Sequence, residues 1–252
     1  MVNYMQTRQS KILNVLSQSQ RVTVSELSNI LNVSEVTIRK DLSQLEDKGL
    51  LKREHGYAAI VNSDDVINRL SFNYDLKKRI AQKAVESIKD SETIMIESGS
   101  CCALLAEEVA SIRRDVTIIT NSVFIATFIR HLAAKLILLG GEYQTESQVM
   151  VGPLIKVSVE NFYVDKLFIG VDGFNKVGAT AGDLMRAEAV RDMSKHARKV
   201  IILTESKKFE QVGVVPLLKY EHLHKIYTDN QNDASNIPKN VEIIHCLTED
   251  SK

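Results

Sequence analysis

Two short stretches of the chain carry residue types whose spacing suits binding chemistry. The first, Val33-Ser34-Glu35-Val36-Thr37-Ile38-Arg39-Lys40-Asp41-Leu42, gathers hydroxyl, guanidinium and ammonium groups where Ile38, Leu42 and Leu45 set a helical period. Such groups hydrogen-bond the edges of bases, and an arginine fits guanine bidentately. The second, Glu97-Ser98-Gly99-Ser100-Cys101-Cys102, lies between the β-branched run Thr93 to Ile96 and an apolar stretch through Leu104, Leu105 and Val109. Small residues between a strand and a helix leave backbone N–H groups open to an anion.

The first stretch needs helices around it, and the neighbouring residues supply them. Ile12, Leu13 and Leu16 give one apolar face to a first helix over Arg8 to Leu16. Thr23 and Glu26 form a capping box that opens a second helix near Val24; it buries Val24, Leu27 and Leu31 and stops at Asn32. Ser34 caps a third, in which Ile38, Leu42 and Leu45 point inward and Thr37, Lys40, Asp41 and Gln44 face away. This pattern predicts a helix-turn-helix with Thr37, Arg39 and Lys40 as the main DNA contacts and Ser34 and Gln44 flanking them. After Gly49, Leu50 to Arg53, the turn Glu54 to Gly56, and Tyr57 to Val61 read as a hairpin wing that offers Lys52, Arg53 and His55 to phosphates. Over residues 1–60 basic side chains exceed acidic ones by only two. Modest attraction per head points to two heads on a repeated site, hence to a homo-oligomer, dimer or tetramer.

The second stretch needs a sheet. Asn62 to Asp65 is polar, and a linker over 62–75 leads to a helix near Leu76. Beyond it β-branched runs alternate with helical stretches: Thr93 to Ile96, Val116 to Thr120, Leu136 to Leu139, Lys166 to Val171, Val200 to Thr204, Lys225 to Thr228 and Val241 to His245. The alternation predicts an α/β domain with a mostly parallel sheet, and ligands of such folds bind beyond the carboxyl ends of the strands. Those ends carry Gly99, Ser100, Cys101 and Cys102, then Asn121 in Thr120-Asn121-Ser122, Gly141 in Gly140-Gly141-Glu142, and Asp172 in Asp172-Gly173. Each alone is an ordinary turn. Together at one edge they favour a ligand site.

The stretch Val33 to Leu42, with Leu45-Glu46 and Arg53-Glu54-His55-Gly56, resembles the DeoR/GlpR family of bacterial repressors, whose pattern is V-S-x-x-T-I-R-R-D-L and then R-x-H-G-G-A. The resemblance continues over nearly the whole chain in Glu97 to Cys102, Thr120 to Ser122, Gly140-Gly141, Gly152-Pro153, Glu205 to Phe209 and Thr228-Asp229. His55 to Ala58, Ser63 to Val66, Met150 to Pro153 and Asp183 to Arg186 resemble its YciT-type branch most. Departures are Lys40 for an arginine, Tyr57 for a glycine, Cys101 and Cys102 for two threonines, Glu205 for an aspartate and Lys207 for a serine. The resemblance implies a winged helix-turn-helix joined to a sensor similar to sugar-phosphate isomerases. It further implies a repressor of a double-stranded operator, answering to a small phosphorylated metabolite, with Lys208 facing the Gly99 to Cys102 loop.

Length and composition fit this division. A chain of 252 residues holds a head over 1–61 and a body over 76–252, and 44% hydrophobic with 25% charged residues is the mixture of a globular protein. Net charge is zero, which argues against a ligand-blind architectural DNA protein. No apolar run approaches the roughly 20 residues that span a bilayer, and residues 1–10 are polar, so a cytoplasmic protein is expected. Cys101, Cys102 and Cys246 show no zinc spacing, and neither a metal nor a cofactor is expected. The vicinal pair Cys101-Cys102 offers a redox switch as the lesser reading, and His222 and His224 read as surface histidines rather than a metal pair. The alternative activity is an isomerase carrying a DNA-binding head, with Asp172 as base and Lys208 as electrophile.

Overall fold

The computed structural model describes residues 7–19, 21–48, 50–54, 56–59, 66–112, 115–229 and 237–246. The chain divides into two compact units, Met1–Asp75 and Leu76–Lys252. His55 and residues 60–65, which include the end of the expected wing and the start of the expected linker, lie outside the described residues.

In the first unit α1 (Thr7–Ser19) buries Ile12, Leu13 and Leu16. A three-residue strand β1 (Arg21–Thr23) leads into α2 (Val24–Leu31). Thr23 Oγ1 accepts the Glu26 N–H at 3.1 Å, and Glu26 Oε2 accepts the Thr23 N–H at 2.8 Å, so both arms of the capping box are closed. Asn32 ends this helix at φ 52°, in the left-handed region. Ser34 then opens α3 (Glu35–Asp47) by accepting the Thr37 N–H at 3.3 Å. Ile38, Leu42 and Leu45 are fully buried beneath α3, which packs on α1 and α2. The wing is the hairpin β2 (Lys52–Glu54) and β3 (Tyr57–Ala59), turning at Gly56 with φ 86°. β1 pairs with β3 to give an antiparallel sheet of order β1-β3-β2, an addition that a run as short as Arg-Val-Thr does not announce.

Two expectations for this unit are corrected. Asp41 does not face solvent: its side chain is 3% exposed and takes the Arg8 guanidinium. Position 41 lies three residues after Ile38 and four before Leu45, on the inward stripe, where a carboxylate is tolerable only with a cation on it. The second part of the expected linker is helical, as α4 (Val66–Ser71) followed by α5 (Tyr74–Val85). Val66, Leu70 and Tyr74 recur every four residues and are buried, and α4 packs on α1.

The second unit continues with β4 (Thr93–Ile96), α6 (Ser100–Ile112), β5 (Thr117–Thr120), α7 (Val123–Phe128), β6 (Lys135–Leu138), and the hairpin β7 (Glu142–Gln144) and β8 (Val149–Val151). After it come α8 (Pro153–Val159), β9 (Val164–Ile169), β10 (Gly173–Phe174), β11 (Gly178–Ala181), α9 (Leu184–Ser194) and β12 (Ala197–Leu203). The chain then runs through β13 (Val215–Lys219), β14 (Lys225–Thr228) and β15 (Glu242–His245). The seven expected strands form one sheet of order β15-β14-β12-β9-β4-β5-β6, parallel at every pairing. Its central strands read Thr-Ile-Met-Ile and Val-Asp-Lys-Leu-Phe-Ile and are nearly continuous buried runs, as strands covered on both faces must be. The antiparallel trio β10-β11-β13 was not expected, because Gly178-Ala-Thr-Ala181 lacks a β-branched run and β13 contains Pro216.

From β4 the chain moves outward through β5 and β6, then returns to lay β9 on the other side of β4 and continues outward through β12, β14 and β15. Strand order therefore reverses between β4 and β9. In open α/β sheets that switch point opens a crevice at the carboxyl ends of the two strands.

Candidate functional site

In the first unit the residues that the sequence singles out for DNA gather on the N-terminal half of α3. Arg39 and Lys40 are exposed, Thr37 is half-buried, and Ser34 Oγ lies 2.9 Å from Thr37 Oγ1. Arg39 Nη2 donates to Glu35 Oε2 at 2.5 Å, an exposed pair one turn apart that holds the guanidinium along the helix. Gln44 is exposed and accepts from Gln9 Nε2 on α1 at 2.5 Å, which leaves its own amide N–H groups as donors. Val36 is 74% exposed on this polar surface. The sequence held its signal: Val36 precedes inward Ile38 by two residues, which turns it to the opposite side.

On the wing, Lys52 is exposed on the sheet face opposite Val22 and Ala58. Arg53 is exposed too, its N–H donating to Glu46 Oε1 at 2.9 Å and its guanidinium 4.0 Å from Glu46 Oε2 on α3. Arg21, which the sequence did not single out, lies with its guanidinium carbon 3.3 Å from the centroid of the Tyr57 ring.

In the second unit the candidate residues line the carboxyl edge of the parallel sheet. The buried Glu97 ties the two loops of the switch point together: Oε2 accepts the Gly99 N–H at 2.9 Å and the Gly170 N–H at 3.0 Å, and Oε1 accepts Ser98 Oγ–H at 2.7 Å. Gly99 and Gly170 touch through their backbones, and a Cβ on Gly99 would lie 3.1 Å from Gly170 Cα. Gly99 is thus committed to the loop and does not offer its N–H to a ligand. The N–H groups of Ser100, Cys101 and Cys102 precede the first helical bond, Ala103 N–H to the Gly99 carbonyl, and are the donors that remain.

Cys101 and Cys102 contribute no side chain to this edge. Both are buried, and burial pushes the Cys101 thiol up to about 12 and the Cys102 thiol well above the ordinary value. The opposing pull of Lys77 on Cys101 is the smaller effect. Raised thiols differ from an acidified redox pair, whose pKa lies below the ordinary value.

Asn121 is 1% exposed; its Nδ2 donates to the Met150 carbonyl at 3.0 Å, while its Oδ1 is buried with no hydrogen-bond partner among the described residues. Gly141 serves packing, since a Cβ there would meet the Val151 carbonyl at 2.6 Å. Asp172 Oδ2 accepts the Gly182 N–H at 2.7 Å and shapes the loop between β11 and α9. Lys208 is half-buried on the 3-10 turn Ser206–Glu210 after β12 and makes no ion pair among the described residues. Along the edge Asn121 follows β5, one strand from β4, and Lys208 follows β12, two strands away on the other side. At about 4.8 Å per strand they flank the start of α6.

A second cluster on this edge was missed. Lys77 on α5 is 3% exposed and lies 3.4 Å from Glu205 Oε2, while Lys207 approaches Glu205 Oε1 at 3.6 Å. Burial lowers the Lys77 pKa against the pull of Glu205. Asp229, after β14, accepts both the Ser206 N–H at 2.6 Å and Ser206 Oγ–H at 3.1 Å. Lys77 shares the helical stripe of Ile80, Ala81 and Ala84, and a lysine on an apolar stripe is the trace this ion pair left in the sequence. Among the described residues no group of three His, Cys, Asp or Glu could hold a metal ion, and no helix is long and apolar enough to cross a membrane.

The chain matches two family models, the DeoR-like helix-turn-helix domain over residues 8–64 and the DeoR C terminal sensor domain over residues 72–230. It is 32% identical over 230 residues to the HTH-type transcriptional regulator GolR of Listeria innocua, covering 89% of this chain and 90% of that one. It is 29% identical over 241 residues to the putative aga operon transcriptional repressor of Escherichia coli O157:H7, with 91% and 88% covered. A looser structural likeness, TM-score 0.42 at 21% identity, links 54% of this chain to 55% of ribose 5-phosphate isomerase A from Methanocaldococcus jannaschii. With both family models matched in order and full-length relatives named as regulators, the chain belongs to the DeoR family of helix-turn-helix transcriptional regulators.

Proposed function

We propose that this regulator is a repressor whose head, within residues 1–61, reads a repeated operator as a homo-oligomer. Its sensor, within 76–252, binds a small phosphorylated metabolite, a sugar phosphate or a close analogue, that changes operator affinity. On the head, Arg39, Lys40, Thr37, Ser34 and Gln44 address base edges, Val36 offers an apolar contact to a thymine methyl, and Lys52 and His55 address phosphates. The relative named as a repressor supports the sign of regulation.

The observation that carries the sensor reading is the switch point itself. Between the β4 and β9 loops cross-linked by Glu97, the free amides of Ser100, Cys101 and Cys102 meet an anion at a helix N-terminus. Lys208 on one side supplies a countercharge. Asn121 on the other presents a buried carbonyl oxygen that lacks a donor, which a ligand hydroxyl would satisfy. A phosphate joined to a polyol has both groups. Asp172 holds Gly182 in place and orients the loop, so its carboxylate is engaged in structure rather than in proton abstraction, and no turnover is expected.

The test is operator titration, on fragments selected from a genome by the protein, with and without a panel of pentose and hexose phosphates. The reading predicts that at least one compound shifts the titration and that none is isomerised. Indifference to every phosphorylated compound, or turnover that Asp172→Asn abolishes, would overturn it.

A further inference from the structure

The sensor's helix α8 turns apolar side chains to both of its sides. Ile155 and Val159, one turn apart, are fully buried and seat the helix on the core, where it packs against α9 and β8. At about 100° per residue Val157 stands opposite that pair, and it is 59% exposed. Leu154 on one flank is 60% exposed, and Tyr163, just beyond the helix, is 67% exposed. On the other flank Lys156 and Glu160 are exposed one turn apart, and neither makes an ion pair among the described residues.

A helix on the surface of a domain ordinarily presents polar residues at the centre of its outer stripe, and here that place holds a valine between two more large apolar side chains. The charges select what covers it. Two copies of α8 packed antiparallel about a two-fold axis bring like flanks together, so that the axis near Val157 and Ser158 sets Lys156 of each copy opposite Glu160 of the other. The same placement stacks Val157 on Val157 at the centre. It also brings Leu154 opposite the segment Asn161 to Tyr163. A parallel pair would instead lay the charged flank on the Leu154 flank, leaving both charges against an apolar surface.

We infer that the outer face of α8 is where two copies of this chain meet, antiparallel across a two-fold axis, with Val157 at the centre and reciprocal Lys156–Glu160 pairs at the rim. The partner is a second copy, chosen by self-complementary charge. Stable interfaces cover about 1,200 Å² or more, so α8 is the centre of a larger contact, to which α9, packed beside it and carrying the exposed Leu184, contributes. The assignment rests on the homo-oligomer reading above and adds to it the surface, the symmetry and the residues.

The full-length protein is followed by sedimentation equilibrium over a dilution series, without DNA. Val157→Glu places a carboxylate in the contact twice and should weaken assembly roughly tenfold or more. Because Val157 is exposed, its thermal midpoint should stay that of wild type. Lys156→Glu and Glu160→Lys should each weaken assembly severalfold, since two attractions become two repulsions. The double variant K156E/E160K should assemble as wild type, and an equimolar mixture of the two single variants should form mixed assemblies in preference to either alone. A folded Val157→Glu that assembles as wild type overturns the assignment, as do charge reversals that neither the double variant nor the mixture rescues; an oligomer joined elsewhere then stands. A wild-type chain that stays monomeric at every concentration overturns the assignment and the homo-oligomer reading together.

Discussion

The guanidinium of Arg8 on α1 grips the carboxylate of Asp41 on α3 with two hydrogen bonds, Nε to Oδ2 at 2.5 Å and Nη2 to Oδ1 at 3.0 Å. The pair fixes the rotation of α3 about its axis, because Asp41 follows Arg39 and Lys40 directly. Arg8→Ala leaves a buried carboxylate behind. Breaking a wholly buried pair costs about 3 to 5 kcal/mol, and with Arg8 31% exposed we expect roughly 1 to 3. Chemical denaturation should show that loss, and binding to operator and random DNA should fall together. A loss confined to operator DNA, with stability unchanged, would mean that the pair only orients and does not stabilise.

Arg39 should behave differently from Lys52. Its pairing with Glu35 is exposed and worth only a few tenths of a kcal/mol, so DNA can break it readily. We predict that Arg39→Ala costs operator binding roughly 1 to 3 kcal/mol, as a bidentate base contact would, and costs random DNA much less. Competition titrations measure the ratio. Equal losses on the two duplexes would place Arg39 on the backbone.

For the sensor, Gly99→Asp is a poor probe. Its Cβ would press on Gly170, and its carboxylate would stand against Glu97, so the loop itself would shift. Lys208→Gln removes the charge and leaves a polar side chain about one atom shorter. Operator affinity should be unchanged, while the sugar phosphate that acts on wild type should be needed at roughly tenfold higher concentration or more. Unaltered sensitivity would take Lys208 out of the site and leave the anion to the α6 amides.

The cysteines should resist both alkylation and oxidation. Burial raises Cys101 to about 12 and Cys246 to about 11 from the ordinary 9.0, so near pH 8 the thiolate of Cys101 is about a thousandfold scarcer than that of a free thiol. Iodoacetamide labelling should await unfolding, and diamide should not alter operator binding. The sign of the linkage follows from the raised values. Protonated thiols are favoured in the fold, so their contribution to stability is complete below about pH 9 and is lost as pH climbs toward 12. Replacing Cys101 with Ala should shallow the alkaline fall in thermal midpoint, and rapid labelling of the folded protein would contradict the burial.

How much of this was legible beforehand differs between the units. The head was readable because its signals are local. Thr23 with Glu26, Asn32 in the left-handed turn, Ser34 as cap and the stripe Ile38, Leu42, Leu45 each act within a turn or two of helix. The seven strands of the sensor were readable because strands covered on both faces must be apolar throughout. Short strands such as β1, β10 and β11 escaped, since their stability comes from the strand beside them rather than from their own residues.

The sequence by itself thus determined the three helices of the head with their caps and apolar stripes, and the seven strands of the large sheet, because those properties follow from the period and chemistry of near neighbours. Tertiary structure alone decided the partners. It brought Asp41 under Arg8 across 33 residues, set Glu97 on Gly170 across 73, seated Lys77 against Glu205, turned Arg53 to Glu46 and laid Arg21 on Tyr57. Charged side chains show in a sequence only that they must be solvated or paired. Which partner pairs each one depends on strand order and helix packing, as the reversal between β4 and β9 brings Gly99 and Gly170 onto the one carboxylate of Glu97.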